Sequence, residues 1–336
     1  MATRLGLSLP QMRQYSIGSD VPAVARAAER IGYDSLWVFE RALFPEPATQ
    51  GLYGVDGLPW PDQYRNVADP LVTLTLAAAA TERAELGSSV LVAPLHVPFQ
   101  LAKALASLDT ASGGRVIAGF GTGWSLDEYA ASSVRPFEER GRVLDEIIEV
   151  CRAVWGPDPV VYEGQLTRIA SAVVGPKPAR PIPVMLAASN ERAFRRLVDH
   201  ADGWLPAGFS AEGVGAQWRR LRELAEERGR TKPIRTVLRV NTSRQAKPYD
   251  GADRRPFQGD VDQIVTDLVE YAGIGLDEIL IDLQGTARDA QELTDVAAEV
   301  FEKARAAGVS VRAPPPWWIV GVMVRTRAAP QGGYSS

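Results

Sequence analysis

The 336-residue chain contains a single cysteine, Cys151, and only two histidines, His96 and His200. One cysteine excludes an internal disulfide framework. Cys151 falls inside the apolar helical pattern EIIEVCRAVW, where a thiol packs as a small buried hydrophobe. Two histidines are too few for a histidine-rich zinc site, although carboxylates could still hold magnesium. Neither sign of charge dominates. A formal net charge of -4 leaves no electrostatic footprint for nucleic acid, and clusters such as Arg219, Arg220 and Arg222 alternate with acids as on a solvated helix face. Long hydrophobic runs are missing too. The run WWIVGVMV near the C-terminus is far too short to span a bilayer, so no membrane partner is expected. The first residues, MATRLGLSLP, lack the apolar core of a signal peptide, which makes a cytoplasmic protein the expectation.

What is present is a regular alternation. Short apolar, β-branched runs are followed by amphipathic stretches of helical period. RLGLSLP precedes a helix expected from Asp20, and SLWVFE precedes one that opens at Asp69-Pro70, an acid and then a proline. ELGSSVLVAP leads to PFQLAKALASLDTAS, and RVIAGFGTG leads to the helix around RGRVLDEIIEVCRAVW. After a Pro/Gly-rich excursion from Pro157 to Pro183 come VMLAAS, GWLPAG, RTVLRVN and EILIDL, each followed by a helix. Eight such units predict an α/β fold, a single closed (β/α)8 TIM barrel with insertions, over an open doubly wound sheet. The barrel domain is expected over residues 1–311. A C-terminal tail, 312–336, has no place in it.

A barrel directs attention to the C-terminal ends of its strands, where such folds carry their sites. Three long connections leave that end: Ala42 to Ala68, Ser125 to Pro136 and Thr242 to Gly259. Connections of this length are uncommon unless they act as lids or binding loops. In RVIAGFGTGW the glycines Gly119, Gly121 and Gly123 mark either relief of crowding in the barrel or a close approach to a ligand. Ala187-Ala188-Ser189-Asn190 runs into a helix, whose first amides can hold an anion or be capped by Ser189 or Asn190. Glu40-Arg41 places a carboxylate and a guanidinium at the barrel mouth. Strand alternation lets at most one of them face the axis, and a plain surface ion pair is the alternative. His96, between Pro94 and Pro98, is either a proton shuttle or structural. His200, within a helix, is read as structural.

Together these pieces resemble the bacterial luciferase-like monooxygenase family, and within it the branch that uses the deazaflavin coenzyme F420. The resemblance runs from about Arg4 to Leu283. It is carried by the order and spacing of SLWVFER, DPLVTLTLAAAATERAELGSSVLVAP, LAKALASLDTASGGRVIAGFGTGW, FEERG, PIPVMLAAS and ADGWLP. The resemblance implies a homodimeric barrel that holds a flavin or deazaflavin in its mouth and acts on a small organic substrate. It implies a bulge with a non-prolyl cis peptide at Ser89-Val90 behind the ring. Thr122, Gly123 and Trp124 are expected along the ring and its polyol chain, with Asp127 close by, and Ala187, Ala188 and Ser189 around the phosphate. Glu40 is expected to face the cofactor; Glu40, Arg41 and His96 are the candidate catalytic residues. One departure is plain: many F420 enzymes carry Asp-His where this chain has Glu40-Arg41. Arginine stays charged and cannot serve as a general acid near neutral pH, but it can hold an anionic tautomer or a substrate carboxylate by paired hydrogen bonds. The expected activity is hydride transfer between F420 and an organic substrate. The alternatives are an FMN-dependent two-component monooxygenase, a non-catalytic flavin-binding barrel and, last, a metal-dependent isomerase or aldolase. F420 carries carbon where FMN has the nitrogen that supports oxygen activation, so oxygen chemistry separates the first two.

Overall fold

The structure, a computed structural model, describes residues 3–133, 135–208 and 210–309. The tail expected from residue 312 lies outside the described residues. The chain runs β1 (Arg4–Ser8), α1 (Ile17–Ile31), β2 (Ser35–Val38), α2 (Pro70–Ala80), β3 (Glu85–Ser88), β4 (Leu91–Val92), α3 (Pro98–Ser112), β5 (Val116–Gly121), α4 (Leu126–Ser132) and α5 (Arg140–Trp155). It continues through β6 (Val160–Glu163), β7 (Arg168–Ala172), β8 (Val184–Leu186), α6 (Glu191–His200), β9 (Gly203–Trp204), α7 (Ala211–Glu227), β10 (Arg235–Asn241), β11 (Ser243–Arg244), β12 (Gln258–Gly259), α8 (Val261–Ala272), β13 (Glu278–Asp282) and α9 (Ala290–Ala306).

Parallel pairings close a ring. β1 pairs with β2, β2 with β3, and the two-part strand β3/β4 with β5. The ring continues from β5 through β8, β9, β10 and β13 and returns to β1. This is the closed eight-strand barrel that the alternation predicts. The excursion from Pro157 to Pro183 contains the antiparallel hairpin β6–β7 outside the ring.

Local chemistry sets the helix boundaries. Asp69 caps α2, its carboxylate accepting the Val72 N–H at 2.9 Å, and Pro70 occupies the first turn, where its missing N–H costs nothing. Helix α3 stops at Gly113, which adopts φ 75°, a left-handed conformation that suits glycine. Helix α1 starts at Ile17 and not at Asp20, because the Asp20 carboxylate reaches back to the Ser16 N–H at 2.9 Å and ties down the first turn. The stretch from Ser125 to Pro136, expected as a loop, holds the short helix α4, with Ser125 accepting the Glu128 N–H. Among the described residues no helix is long and apolar enough to cross a membrane. His200 is the last residue of α6, its carbonyl accepting from Arg152. Cys151 is fully buried on α5, and burial pushes its thiol well above the ordinary range.

The barrel interior is filled in layers. At the N-terminal end, the first residues of five strands converge. Glu85 takes Arg4 at 2.7 Å and Arg235 at 2.7 Å, and Arg235 also reaches Glu278 at 2.9 Å. Ser35 and the indole N–H of Trp37 complete the shell of Glu278. Above them Trp37, Ile117, Met185, Leu205, Val237 and Leu280 form an apolar plug. Space for the Trp37 ring comes from Gly87, where an added Cβ would lie 2.4 Å from it. The interior is therefore a packed core and not a pore. Burial of about 25 cal/mol per Å² of apolar surface is the main favourable contribution of such a plug.

Candidate active site

Above the plug, at the C-terminal ends of the strands, lies a cavity of about 540 Å³, within the range of small-molecule and cofactor sites. Its base is the interruption between β3 and β4. Gly87 pairs with Ile117 before it and Leu91 with Phe120 after it, so this strand advances four residues while β5 advances three. One extra residue in a strand is a β-bulge. The peptide bond joining Ser89 to Val90 within it is cis. The Ser88 hydroxyl replaces the lost ladder, donating to the Gly119 carbonyl at 2.8 Å and accepting the Gly119 N–H at 3.0 Å.

That bulge accounts for two of the three glycines on β5 and beyond. An added Cβ at Gly119 would sit 1.7 Å from the Ser88 carbonyl oxygen, and one at Gly121 would meet Val90 at 2.6 Å. Crowding between neighbouring strands is thus the cause at both positions, the first of the two readings the sequence leaves open. Gly123 differs: it has φ 72° and faces Val92 and Tyr129.

Most of the residues singled out from the sequence meet in this one cavity. Glu40 and Arg41 line it from beyond β2, Ser89 and Val90 from the bulge, and Thr122, Gly123 and Trp124 from beyond β5. Ala187, Ala188 and Ser189 line it from beyond β8. Both Glu40 and Arg41 reach it, contrary to the strand-alternation expectation, because β2 has already ended at Val38. Nor do they pair with each other. Glu40 is buried; its carboxylate accepts the Val92 N–H at 2.5 Å and lies 2.8 Å from His96 Nε2. Arg41 donates from Nη1 to Glu128 at 2.8 Å, and its guanidinium lies 4.8 Å from the ring centre of Trp124. At that distance the guanidinium is held by both charge and the ring face.

Two expected residues lie outside the lining. Asp127 is engaged by Thr49, whose N–H donates to it at 3.0 Å and whose hydroxyl also donates. Gln50 donates to the Trp124 carbonyl at 3.0 Å beside it. Asp127 is therefore a latch for the 42–68 loop. His96, at the turn into α3, meets Glu40 and is not among the residues that line the cavity. Burial alone lowers the basicity of its imidazole, but the hydrogen bond and charge of Glu40, with Asp69 adding, raise it above the ordinary histidine value.

The latched loop supplies an aromatic wall. Tyr53 and Tyr64 line the cavity, and Tyr53 and Trp60 pack against Trp124 with ring centres at 5.5 and 5.1 Å. Across from them stands Arg239, which the sequence reading passed over. It is an inward-facing charge on β10 between Leu238 and Val240. It donates to the Ser89 carbonyl at 2.6 Å, to Asp282 at 2.5 Å and to Asn241 at 3.0 Å. Burial disfavours its charge, but Asp282 outweighs that and holds it protonated. A basic residue inside an otherwise apolar strand was the available signal.

Beyond Thr122 and Ala187 a smaller annex of about 150 Å³ opens between α5 and α6, lined in part by Arg140, Arg192 and Arg196. Asn190 caps α6, accepting the Ala193 N–H at 3.0 Å, so capping falls to Asn190 and not to Ser189. Arg196 is paired with Asp145 and Glu138 also lines the annex, so Arg140 and Arg192, beside the N-terminus of α6, are the cations that favour an anion there.

The sequence pattern described as luciferase-like monooxygenase matches residues 8–278. An uncharacterized protein of Mycobacterium tuberculosis is 37% identical over 187 residues, covering 54% of this chain and 66% of the relative. An F420-dependent glucose-6-phosphate dehydrogenase of Kineococcus radiotolerans is 30% identical over 235 residues, covering 68% of this chain and 65% of that enzyme. The solved structure of monooxygenase RslO1 from Streptomyces bottropensis superimposes with a TM-score of 0.72 over 91% of this chain and 99% of its own, at 19% identity.

Proposed function

The chain belongs to the luciferase-like monooxygenase family, and from that premise we propose that it is an oxidoreductase using coenzyme F420 and a small organic substrate. The observation that carries this reading is the pairing of the 540 Å³ cavity with its arginine-lined annex. A flat heterocycle with an anionic tail needs both: a slot with a backbone floor and aromatic wall, and a cationic recess at its end. The Ser89–Val90 bulge would support the ring, while Thr122, Gly123 and Trp124 would line its polyol chain. Ala187, Ala188 and Ser189, with Arg140 and Arg192, would meet the phosphate. When bound, the deazaflavin supplies hydride acceptance or donation; the protein supplies position, charge and exclusion of water.

The chain's own groups divide the remaining work. Arg41 has one guanidinium nitrogen on Glu128 and its flat face on Trp124, which leaves its other donors for a substrate oxygen or carboxylate. Glu40, next to Arg41 in the chain, is the acceptor at the mouth, its carboxylate held between the Val92 N–H and His96. Since Glu40-Arg41 stands where the resemblance implies Asp-His, the sugar-phosphate activity of the Kineococcus relative is not carried over. We also take the acting form to be a homodimer, which light scattering on the purified protein would check.

The test is a titration of purified protein with F420 and with FMN, read by quenching of the tryptophans near the cavity. F420 is expected to bind at least about tenfold more tightly, a difference of about 1.4 kcal/mol. Tighter binding of FMN, with oxygen consumption when reduced flavin is supplied, would assign the monooxygenase chemistry instead. No binding of either would end the cofactor reading.

A further inference from the structure

We propose that Glu40 and His96 form a two-residue proton conduit through the barrel wall, with Glu40 as its cavity end and His96 as its solvent end. This rests on the cofactor reading above and adds to it a route by which the site exchanges protons. Three observations carry it. Glu40 is buried yet contributes to the cavity lining, whereas His96 is absent from that lining. Their side chains meet at 2.8 Å between Glu40 Oε1 and His96 Nε2. The His96 side chain retains 23% of its exposure, against 9% for Glu40, so a proton passed outward arrives where water can take it.

The other Glu40 oxygen is fixed by the Val92 N–H, two residues beyond the cis bond of the bulge. The carboxylate therefore cannot swing away from the imidazole without giving up a backbone partner. Where the resemblance implies a histidine next to the second-strand carboxylate, this chain has Arg41. The imidazole comes to the carboxylate from the other side, from the turn that follows the third strand. The charged neighbours are few: Asp69, at the cap of α2, adds to the field at His96, and Glu128, paired with Arg41, shares a field with Glu40.

The step is a proton transfer without redox change. An acidic O–H or N–H in the cavity breaks, its electron pair stays on the substrate atom, and the proton bonds to the Glu40 carboxylate. With the imidazole in its Nδ1–H tautomer, Glu40 then gives that proton to the bare His96 Nε2, regenerating carboxylate and forming imidazolium; the imidazolium releases its Nδ1 proton to water, and exchange with water returns the ring to the starting tautomer. Run in reverse, the same atoms deliver a proton to the cavity. Glu40 touches the reacting group in this scheme; His96 acts through it.

Two histidines in the chain make the direct measurement simple. Nitrogen-detected NMR titration of the ligand-free protein, with His200→Gln to assign the signals, should give a His96 midpoint above 6.5, and Glu40→Gln should lower it. An unchanged midpoint in Glu40→Gln overturns the conduit. In a second arm, calorimetric titration with F420 and FMN is run at pH 7 in buffers of different ionisation enthalpy. Covering the mouth removes water from Glu40 and favours the protonated pair, so fractional proton uptake is expected with wild type and a smaller uptake with His96→Gln. Binding with the same proton count in both proteins overturns the conduit while leaving the cofactor reading in place. Failure of both ligands to bind overturns the cofactor reading and the conduit with it.

Discussion

Replacing Arg239 by methionine isolates the most heavily committed charge in the cavity wall. The guanidinium donates to Ser89, Asp282 and Asn241. Asp282 is 5% exposed and would keep only the backbone N–H and side-chain amide of Gln284, at 3.2 and 3.4 Å. Removing one partner of a buried ion pair leaves an uncompensated charge, which costs about 3–5 kcal/mol. Arg239→Met should therefore lower stability by about that amount, read from urea unfolding followed by tryptophan fluorescence. Asp282→Asn in the same chain removes the orphaned charge while retaining shape. The double variant should recover about 2 kcal/mol, within the range of coupling energies for contacting residues. Ligand binding should not recover with it, because the Ser89 carbonyl still lacks its donor and the bulge loses a restraint. If the double variant is no more stable than Arg239→Met, the ion pair is not what Arg239 contributes, and the account of this wall fails.

The charged floor predicts a stability maximum in mild acid. Burial, with Glu278 adding, holds the Asp34 carboxyl up at about 6 against the pull of Arg4. That contribution is fully present below the unfolded value near 3.8 and is lost as pH rises through 6. Burial would raise Glu85 as well, but Arg235 and Arg4 overcome it and hold its carboxyl at about 2. Its contribution, of order 3 kcal/mol, is present above about 4.5 and lost as pH falls through 2. Urea midpoints measured from pH 7 to pH 2 should peak between about 4 and 5, and a flat profile would refute the floor's electrostatics. Gly119→Ala forces a Cβ against the Ser88 carbonyl and should cost of order 1–3 kcal/mol; a melting temperature equal to wild type would mean the bulge yields freely. Arg41→Ala should reduce turnover at least about tenfold with cofactor affinity nearly unchanged, once a substrate is found, and an unaltered turnover number would confine Arg41 to its contact with Glu128. Asp127→Ala releases the Thr49 latch and should make the chain near Thr49 and Gln50 more susceptible to limited proteolysis; an identical cleavage pattern would contradict the latch.

The barrel was legible because each local signal agreed with the global one. β-branched runs alternated with amphipathic helices, and Asp69-Pro70 marked a helix start by its own chemistry. Glu40, Thr122 and Ala187 were legible as strand ends, since each follows an apolar run, whereas Ser89 was expected only from the resemblance. Their partners were not. Arg239 and Asp282 lie 43 residues apart and meet only because β10 and β13 pair in register, which no periodicity reports. Asp127 read as a ligand neighbour because nothing in the sequence announces Thr49 beside it. Helix α4, seven residues long, was too short for its period to stand out from a polar loop. The glycines of β5 were seen, but their cause was a carbonyl on another strand, invisible until the bulge was placed.

The charges beneath the plug also constrain how the molecule comes into being. Arg4, Asp34, Glu85 and Arg235 leave the ribosome before Glu278 does, so Arg235 at the unfinished base has Glu85 alone as its acid partner. Only the last strand supplies the second acid, and with it the indole and hydroxyl contacts that Trp37 and Ser35 make there. Closure of the barrel thus waits on β13, and its seam with β1 is where assembly is sealed.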